Sequence, residues 1–78
     1  MMIETQFLTL KEALAGRPIK RVYTRRLNTR HGRQIDPASK AVQKFMALGG
    51  ELYAGRWAAS DGSARALGYE TILVEFGE

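Results

Sequence analysis

Hydrophobic and polar positions alternate loosely over residues 2–8, which favours a short strand near the start of this 78-residue chain. Thr9 is followed three residues later by Glu12, which is the spacing of a capping box that opens a helix. Gly16 stands where such a helix would end. The pattern therefore predicts a strand followed by a short helix over residues 10–15.

The clearest helical spacing begins at Asp36-Pro37. Asp is a favourable N-cap and Pro is tolerated at the first helical position, so the pair predicts the start of a helix. Apolar residues then recur at helical spacing as far as Leu48, and Gly49-Gly50 end the pattern. We expect the apolar side of this helix to lie in the core.

The rest of the chain has the pattern of a β-hairpin. Two arms, residues 51–60 and 63–76, flank Asp61-Gly62, a dipeptide typical of two-residue turns. Alternation along the arms assigns Trp57 and Tyr53 to the core face.

The other face of this predicted hairpin is unusually apolar, because Leu52 and Leu73 lie on it. The residues that we take as partner-interface candidates are Arg56, Arg65, Leu67 and Tyr69. We expect this outer face to be covered by a partner or by a second copy of the chain in a homodimer.

Residues 18–28 are compatible with two structures. Their β-branched and aromatic residues favour a strand, whereas Ile19, Tyr23 and Leu27 also recur at helical spacing. A strand gives the order β-α-β-α-β-β, an α+β fold built as a small two-layer sandwich with a C-terminal β-hairpin. A helix instead gives a winged-helix-like fold of three helices plus the hairpin. The strand is favoured, and both remain open at this point.

Positive charge is concentrated in one part of the chain. Residues 17–33, here named the basic segment, contain seven cationic side chains and one histidine but no acid. These residues are Arg17, Lys20, Arg21, Arg25, Arg26, Arg30, His31 and Arg33. Lys40 and Lys44 extend the stretch, so residues 17–44 carry a net charge of +8 and the remainder carries −4. A chain polarised in this way is expected to face an anionic partner.

Nucleic acid is the partner that this charge pattern favours. Each phosphate neutralised by Lys or Arg releases condensed counterions, and Arg can also contact phosphate with two hydrogen bonds. We therefore predict a non-enzymatic nucleic-acid-binding protein that uses the basic segment, with Lys40 and Lys44 beside it. Tyr23 either stacks on a base or belongs to the core.

An acidic protein surface is the alternative partner. Small chains without catalytic residues are common in phages and mobile elements, and anti-CRISPR proteins are among them. On this hypothesis the chain is an inhibitor or adaptor whose basic face docks on an acidic protein or a nucleoprotein complex.

The composition argues against an enzyme. The chain has no cysteine and one histidine, which leaves no thiolate chemistry and no second imidazole for a metal site, and we expect neither metal nor cofactor. A small ribonuclease that uses His31 as an acid or base is the remaining enzymatic alternative.

Length and hydropathy predict a single domain over residues 1–78. The first residues lack the pattern of a secretory signal, and the apolar runs are too short to cross a membrane. We expect a cytoplasmic protein.

Overall fold

Six strands and three helices form from residues 5–77, the part of the chain that the computed structural model describes. In chain order they are β1 (Thr5–Thr9), α1 (Leu10–Ala13), β2 (Ile19–Arg26), β3 (Arg33–Ile35), α2 (Lys40–Phe45), β4 (Gly49–Tyr53), β5 (Arg56–Ser60), α3 (Gly62–Arg65) and β6 (Tyr69–Phe76). No helix in this part of the chain is long and apolar enough to span a membrane.

All six strands join one antiparallel sheet in the order β1-β4-β5-β6-β2-β3. The α+β prediction is thus confirmed, and the winged-helix-like alternative is wrong. β2 is a strand because its side chains alternate between a buried face with Val22 and Thr24 and a face that carries Tyr23. The sequence did not predict β3, which has three residues and forms the edge beyond β2.

The helices supply one layer of the fold and the sheet supplies the other. Each helix contributes buried residues to the single core cluster, in which the side chains of one sheet face also lie. The cluster comprises Leu10, Ala13, Val22, Val42, Phe45, Leu52, Trp57, Ala59, Ala64, Ile72 and Val74.

The opposite side of the sheet, here named the helix-free face, carries the alternate residues of every strand. The register brings Phe7, Glu51, Ala58, Leu73, Tyr23 and Gln34 into one row across it. A second row contains Tyr53, Arg56, Glu75 and Arg21, and a third contains Ser60, Thr71 and Arg25. None of these side chains is buried.

The predicted pairing of Thr9 with Glu12 at the start of α1 is confirmed, but Glu12 accepts from the Thr9 hydroxyl and not from the Thr9 backbone N–H as in a complete capping box. The Glu12 backbone N–H donates to Thr9 Oγ1 at 3.3 Å, and the Thr9 hydroxyl donates to Glu12 Oε1 at 3.1 Å. Gly16 adopts a φ of 74° after the helix, a left-handed conformation that glycine tolerates best.

The second helix begins later than the sequence predicted. Asp36 Oδ1 accepts from the Ala38 N–H at 2.9 Å, and the Ser39 N–H donates to the Asp36 carbonyl at 2.9 Å. These bonds close a turn over Asp36-Pro37, and the extended Ser39 that follows starts α2 at Lys40. Gly49 and Gly50, which were predicted only to end this helix, are the first two residues of β4.

The predicted hairpin turn was wrong. The two-residue turn lies at Ala54-Gly55, where φ values of 50° and 77° correspond to a type I′ turn between β4 and β5. Asp61-Gly62 instead begins the connection that contains α3. Trp57 is fully buried as predicted, whereas Tyr53 is 47% exposed because the altered register turns it to the helix-free face.

Trp57 is held by contacts from two other strands. Its indole N–H donates to the Leu8 carbonyl at 3.0 Å, and its ring lies against the backbone of Gly50. The absence of a side chain at Gly50 therefore makes room for the largest residue in the core.

Candidate functional site

The basic segment occupies one end of the sheet. It contains β2, the first residue of β3, and residues 27–32 between them, here named the tip loop. All seven of its cationic side chains and His31 are exposed, as the sequence predicted for a contact surface. The hairpin formed by β2 and β3 thus gathers the charge at a single edge.

The strand pleat distributes these charges over both faces of the hairpin. Arg21 and Arg25 share the helix-free face with Tyr23. Arg33 pairs with the buried Thr24 and so projects on the helix side. Arg30 and His31 lie in the tip loop, so cations surround the end of the hairpin.

Arg26 is positioned by an aromatic pair on the helix side. Its Cζ atom lies 5.3 Å from the centroid of the Tyr69 ring, and that ring meets Phe45 edge to face at 5.3 Å. Phe45 is fully buried in α2, so the stack connects Arg26 to the core. An irregularity in the β2–β6 register near Arg26 accompanies this orientation of Tyr69.

Arg25 is tied to its surroundings by two contacts. Its Nε lies 3.1 Å from Glu70 Oε2 and donates to the Thr29 carbonyl at 3.2 Å. The ion pair is exposed and therefore contributes little to stability. It is the one ion pair among residues 5–77, so the other six cations of the basic segment form none with a described acid.

Internal hydrogen bonds define the start of the tip loop. The Thr29 hydroxyl and N–H both donate to the Arg26 carbonyl, at 2.7 and 3.3 Å. Asn28 adopts a φ of 68°, which asparagine tolerates better than most residues. Together with the Arg25 contact to Thr29, these bonds give the loop a defined path.

A depression on the helix side brings two of the arginines near α2. Its lining includes Arg26, Arg33, Tyr69 and Ser39, and Lys40 follows Ser39 at the start of α2. The Ser39 hydroxyl is buried and forms no hydrogen bond. Lys40 and Lys44 are both exposed and lie one helical turn apart, hence on the same side of α2.

The four partner-interface candidates do not share one hairpin face, so their predicted placement was wrong, and their role in binding a partner stays a prediction. Arg56 lies on the helix-free face, whereas Arg65 is in α3 and Tyr69 packs against Phe45 on the helix side. Leu67 is 38% exposed in the connection after α3. The error follows from the misplaced turn, because a shifted register exchanges the two faces of a strand.

Sequence reasoning missed the exposed aromatic residues of the helix-free face. Phe7 is 85% exposed on β1, and Tyr53 is 47% exposed on β4. The alternation of Arg21, Tyr23 and Arg25 with Val22 and Thr24 is the sequence signal from which a second, exposed sheet face could have been predicted.

The described residues contain no cluster of three or more His, Cys, Asp or Glu side chains that could hold a metal ion. His31 lies exposed in the tip loop, and no hydrogen bond joins it to a described residue. The arrangement offers dense positive charge at one edge of the sheet.

No protein-family model matches the chain, and no curated protein or solved structure is significantly similar to it. We therefore infer function from the geometry of this surface.

Proposed function

We propose that the chain is a non-enzymatic nucleic-acid-binding protein that contacts the phosphate backbone through its basic segment. The proposal depends on one observation: the β2–β3 hairpin at the sheet edge carries six exposed cations, Arg17 lies just before it, and six of these seven side chains pair with no described acid. Such crowding of like charges is costly by itself, and phosphates would offset that cost.

Preorganisation of two arginines supports this reading. Arg26 is stacked on Tyr69, and Arg25 is held by Glu70 and Thr29, so both guanidinium groups lose less freedom when they meet a phosphate. Arginine is also suited to phosphate because it can donate two parallel hydrogen bonds.

The surface extends onto α2. Lys40 and Lys44 follow the depression that Arg26 and Arg33 line, and no acid of α2 interrupts them. A nucleic-acid backbone that crosses the helix side of the hairpin would meet these lysines next. A cytoplasmic location, as expected from the cysteine-free composition, is consistent with such a role.

Charge reversal at the tip of the hairpin tests the proposal. The variant Arg30→Glu with Arg33→Glu should bind a fluorescein-labelled oligonucleotide at least about tenfold more weakly at about 50 mM salt, because two phosphate contacts become repulsive. The measurement is fluorescence anisotropy, on single-stranded and duplex probes.

A matched control separates the site from overall charge. Lys11→Glu with Arg65→Glu lowers the net charge by the same amount, but these exposed residues lie on α1 and α3, outside the basic segment. We expect this control to bind within about threefold of the wild type. Equal losses in the two variants, or no binding by the wild type at low salt, would count against the proposal.

A protein partner is the second candidate, and the exposure of Phe7 and Tyr53 favours it. Both aromatic side chains lie on the helix-free face, on strands remote from the basic segment. An inhibitor or adaptor of the anti-CRISPR kind could use them as central anchors. A pull-down from lysate, with and without nuclease, separates the candidates. Retention of one protein after nuclease treatment, lost in Phe7→Ser, would support this function over the first.

A further inference from the structure

A depression of about 250 Å³ lies on the helix-free face, next to the tip loop. Its lining consists of Tyr23, Thr24, Arg25, Gly32, Thr71 and Leu73. Tyr23 and Leu73 are register partners, so the tyrosine ring and the leucine side chain lie side by side there. The depression therefore has a mainly apolar floor at the cationic end of the sheet.

Cationic side chains lie around this apolar floor. Arg21 and Arg25 lie two residues on either side of Tyr23 and project from the same face. Gly32, at the rim, belongs to the same loop as Arg30 and His31. A ligand that placed a flat apolar ring on Tyr23 would thus have cations within reach for an attached anionic group.

A nucleobase carried on a phosphate backbone matches this combination. Bases stack on aromatic side chains with little regard to sequence, but only when they are free of the duplex stack. Tyr23 is partly buried and held between β6 and β3, so little conformational freedom would be lost on stacking.

We propose that this depression receives one unpaired base of a single-stranded nucleic acid, stacked on Tyr23, while Arg25 and the tip loop contact the flanking phosphates. The inference rests on the proposed function and narrows it from nucleic acid in general to single strands.

Charge argues against a second copy of the chain as the occupant. A twofold dimer through this end of the sheet would set Arg21, Arg25 and the tip loop against a matching set of cations. Phe7 and Tyr53, which would favour such a dimer, lie four and three strand spacings away from β2, or roughly 19 and 14 Å.

The test compares Tyr23→Leu with the matched control Tyr53→Leu, which makes the same change on the same face outside the depression. The probes are an oligo-dT of about 12 nucleotides and a duplex of about the same length. Tyr23→Leu should weaken oligo-dT binding by about fivefold to a hundredfold and leave duplex binding within about twofold, because only the stacking contact is lost. Tyr53→Leu should change neither by more than about twofold.

A second variant keeps the test decisive if Tyr23→Leu is unstable. Tyr23→Trp retains an aromatic ring, and a base stacked on that ring should lower its fluorescence when oligo-dT binds. Trp57 is fully buried, so its emission serves as a constant background. Binding by this variant without quenching would overturn the inference, and so would equal effects of Tyr23→Leu on single strands and duplex.

The outcomes distinguish the proposed nucleic-acid binding from the proposed base site at Tyr23. If charge reversal at Arg30 and Arg33 abolishes binding while both Tyr23 variants behave like the wild type, the proposed function stands and the base site fails. If the wild type binds no probe, the proposed function fails first. If sedimentation detects a wild-type dimer that Tyr23→Leu dissociates, with oligo-dT binding unchanged, the face belongs to a second copy.

Discussion

Gly50→Ala tests the packing that holds the sheet together. A Cβ atom at this position would overlap the Cε2 and Cζ2 atoms of Trp57 and would lie 2.7 Å from the Ala58 carbonyl oxygen. Carbon atoms normally approach to about 3.5–4.0 Å, so the indole ring must move. Trp57 is fully buried, so any movement of its ring disturbs the core around it.

The cost of that movement has two parts. Overpacking a filled core costs about 1–3 kcal/mol. A displaced indole also loses its hydrogen bond to the Leu8 carbonyl, at 3.0 Å, which contributes about 0.5–1.5 kcal/mol. The sum is about 1.5–4.5 kcal/mol, a large part of the roughly 4–12 kcal/mol expected for a domain of this size. Tm should fall by roughly 6–36 °C.

Thermal unfolding followed by circular dichroism provides the measurement, and Gly49→Ala is the matched control. Gly49 precedes Gly50 in β4, yet a Cβ atom there would meet nothing within 4 Å. Its variant should melt within about 3 °C of the wild type. Equal melting temperatures for the two variants would show that contact with Trp57 does not constrain position 50.

A double-mutant cycle isolates the contact itself. Trp57→Leu removes the ring that an alanine at Gly50 would strike. Adding Gly50→Ala to Trp57→Leu should therefore cost at least about 1 kcal/mol less than adding it to the wild type. Additive effects would show that Gly50 matters for some other reason.

Two further predictions concern the β4–β5 turn and the Arg25 ion pair. Ala54 has a φ of 50°, a left-handed conformation that costs an L-residue more than it costs glycine. Ala54→Gly should therefore raise the free energy of unfolding by about 0.5–1 kcal/mol in a denaturant titration. A lower free energy of unfolding would contradict this. Glu70→Gln should strengthen oligonucleotide binding about twofold to fivefold with little change in Tm, because the amide oxygen can still accept from Arg25 Nε while a negative charge beside the phosphate is removed. Weaker binding would argue against Arg25 as a phosphate contact.

Local signals in the sequence predicted the parts of the fold that neighbouring residues determine. Thr9 and Glu12 act within one helical turn, so α1 was predicted, and the β-branched and aromatic residues around Tyr23 correctly favoured the strand β2 over a helix. The charge of the basic segment can be counted from the sequence without knowledge of the fold, and the exposure of these side chains was predicted from their composition. These features depend on few long-range contacts.

The errors arose where tertiary contacts outweigh local preference. Ala54-Gly55 is an unusual type I′ pair, whereas Asp61-Gly62 has the favoured composition but begins the α3 connection. Pairing of β5 with β6 across that connection fixes the register, and no local pattern records it. With the register misplaced, Tyr53 and Tyr69 were assigned to the wrong faces, and the helix-free face was missed.

The salt dependence of oligo-dT binding is the sharpest test of whether the basic segment contacts phosphates. If the basic segment contacts phosphates, log K should fall linearly with log salt, with a slope of about −0.7 for each phosphate contacted. Replacing Arg30 and Arg33 with Gln should make the slope shallower by about 0.7 per lost contact, and replacing Lys11 and Arg65 should leave it unchanged. No binding at about 50 mM salt, or a slope that the tip residues do not alter, would contradict the account.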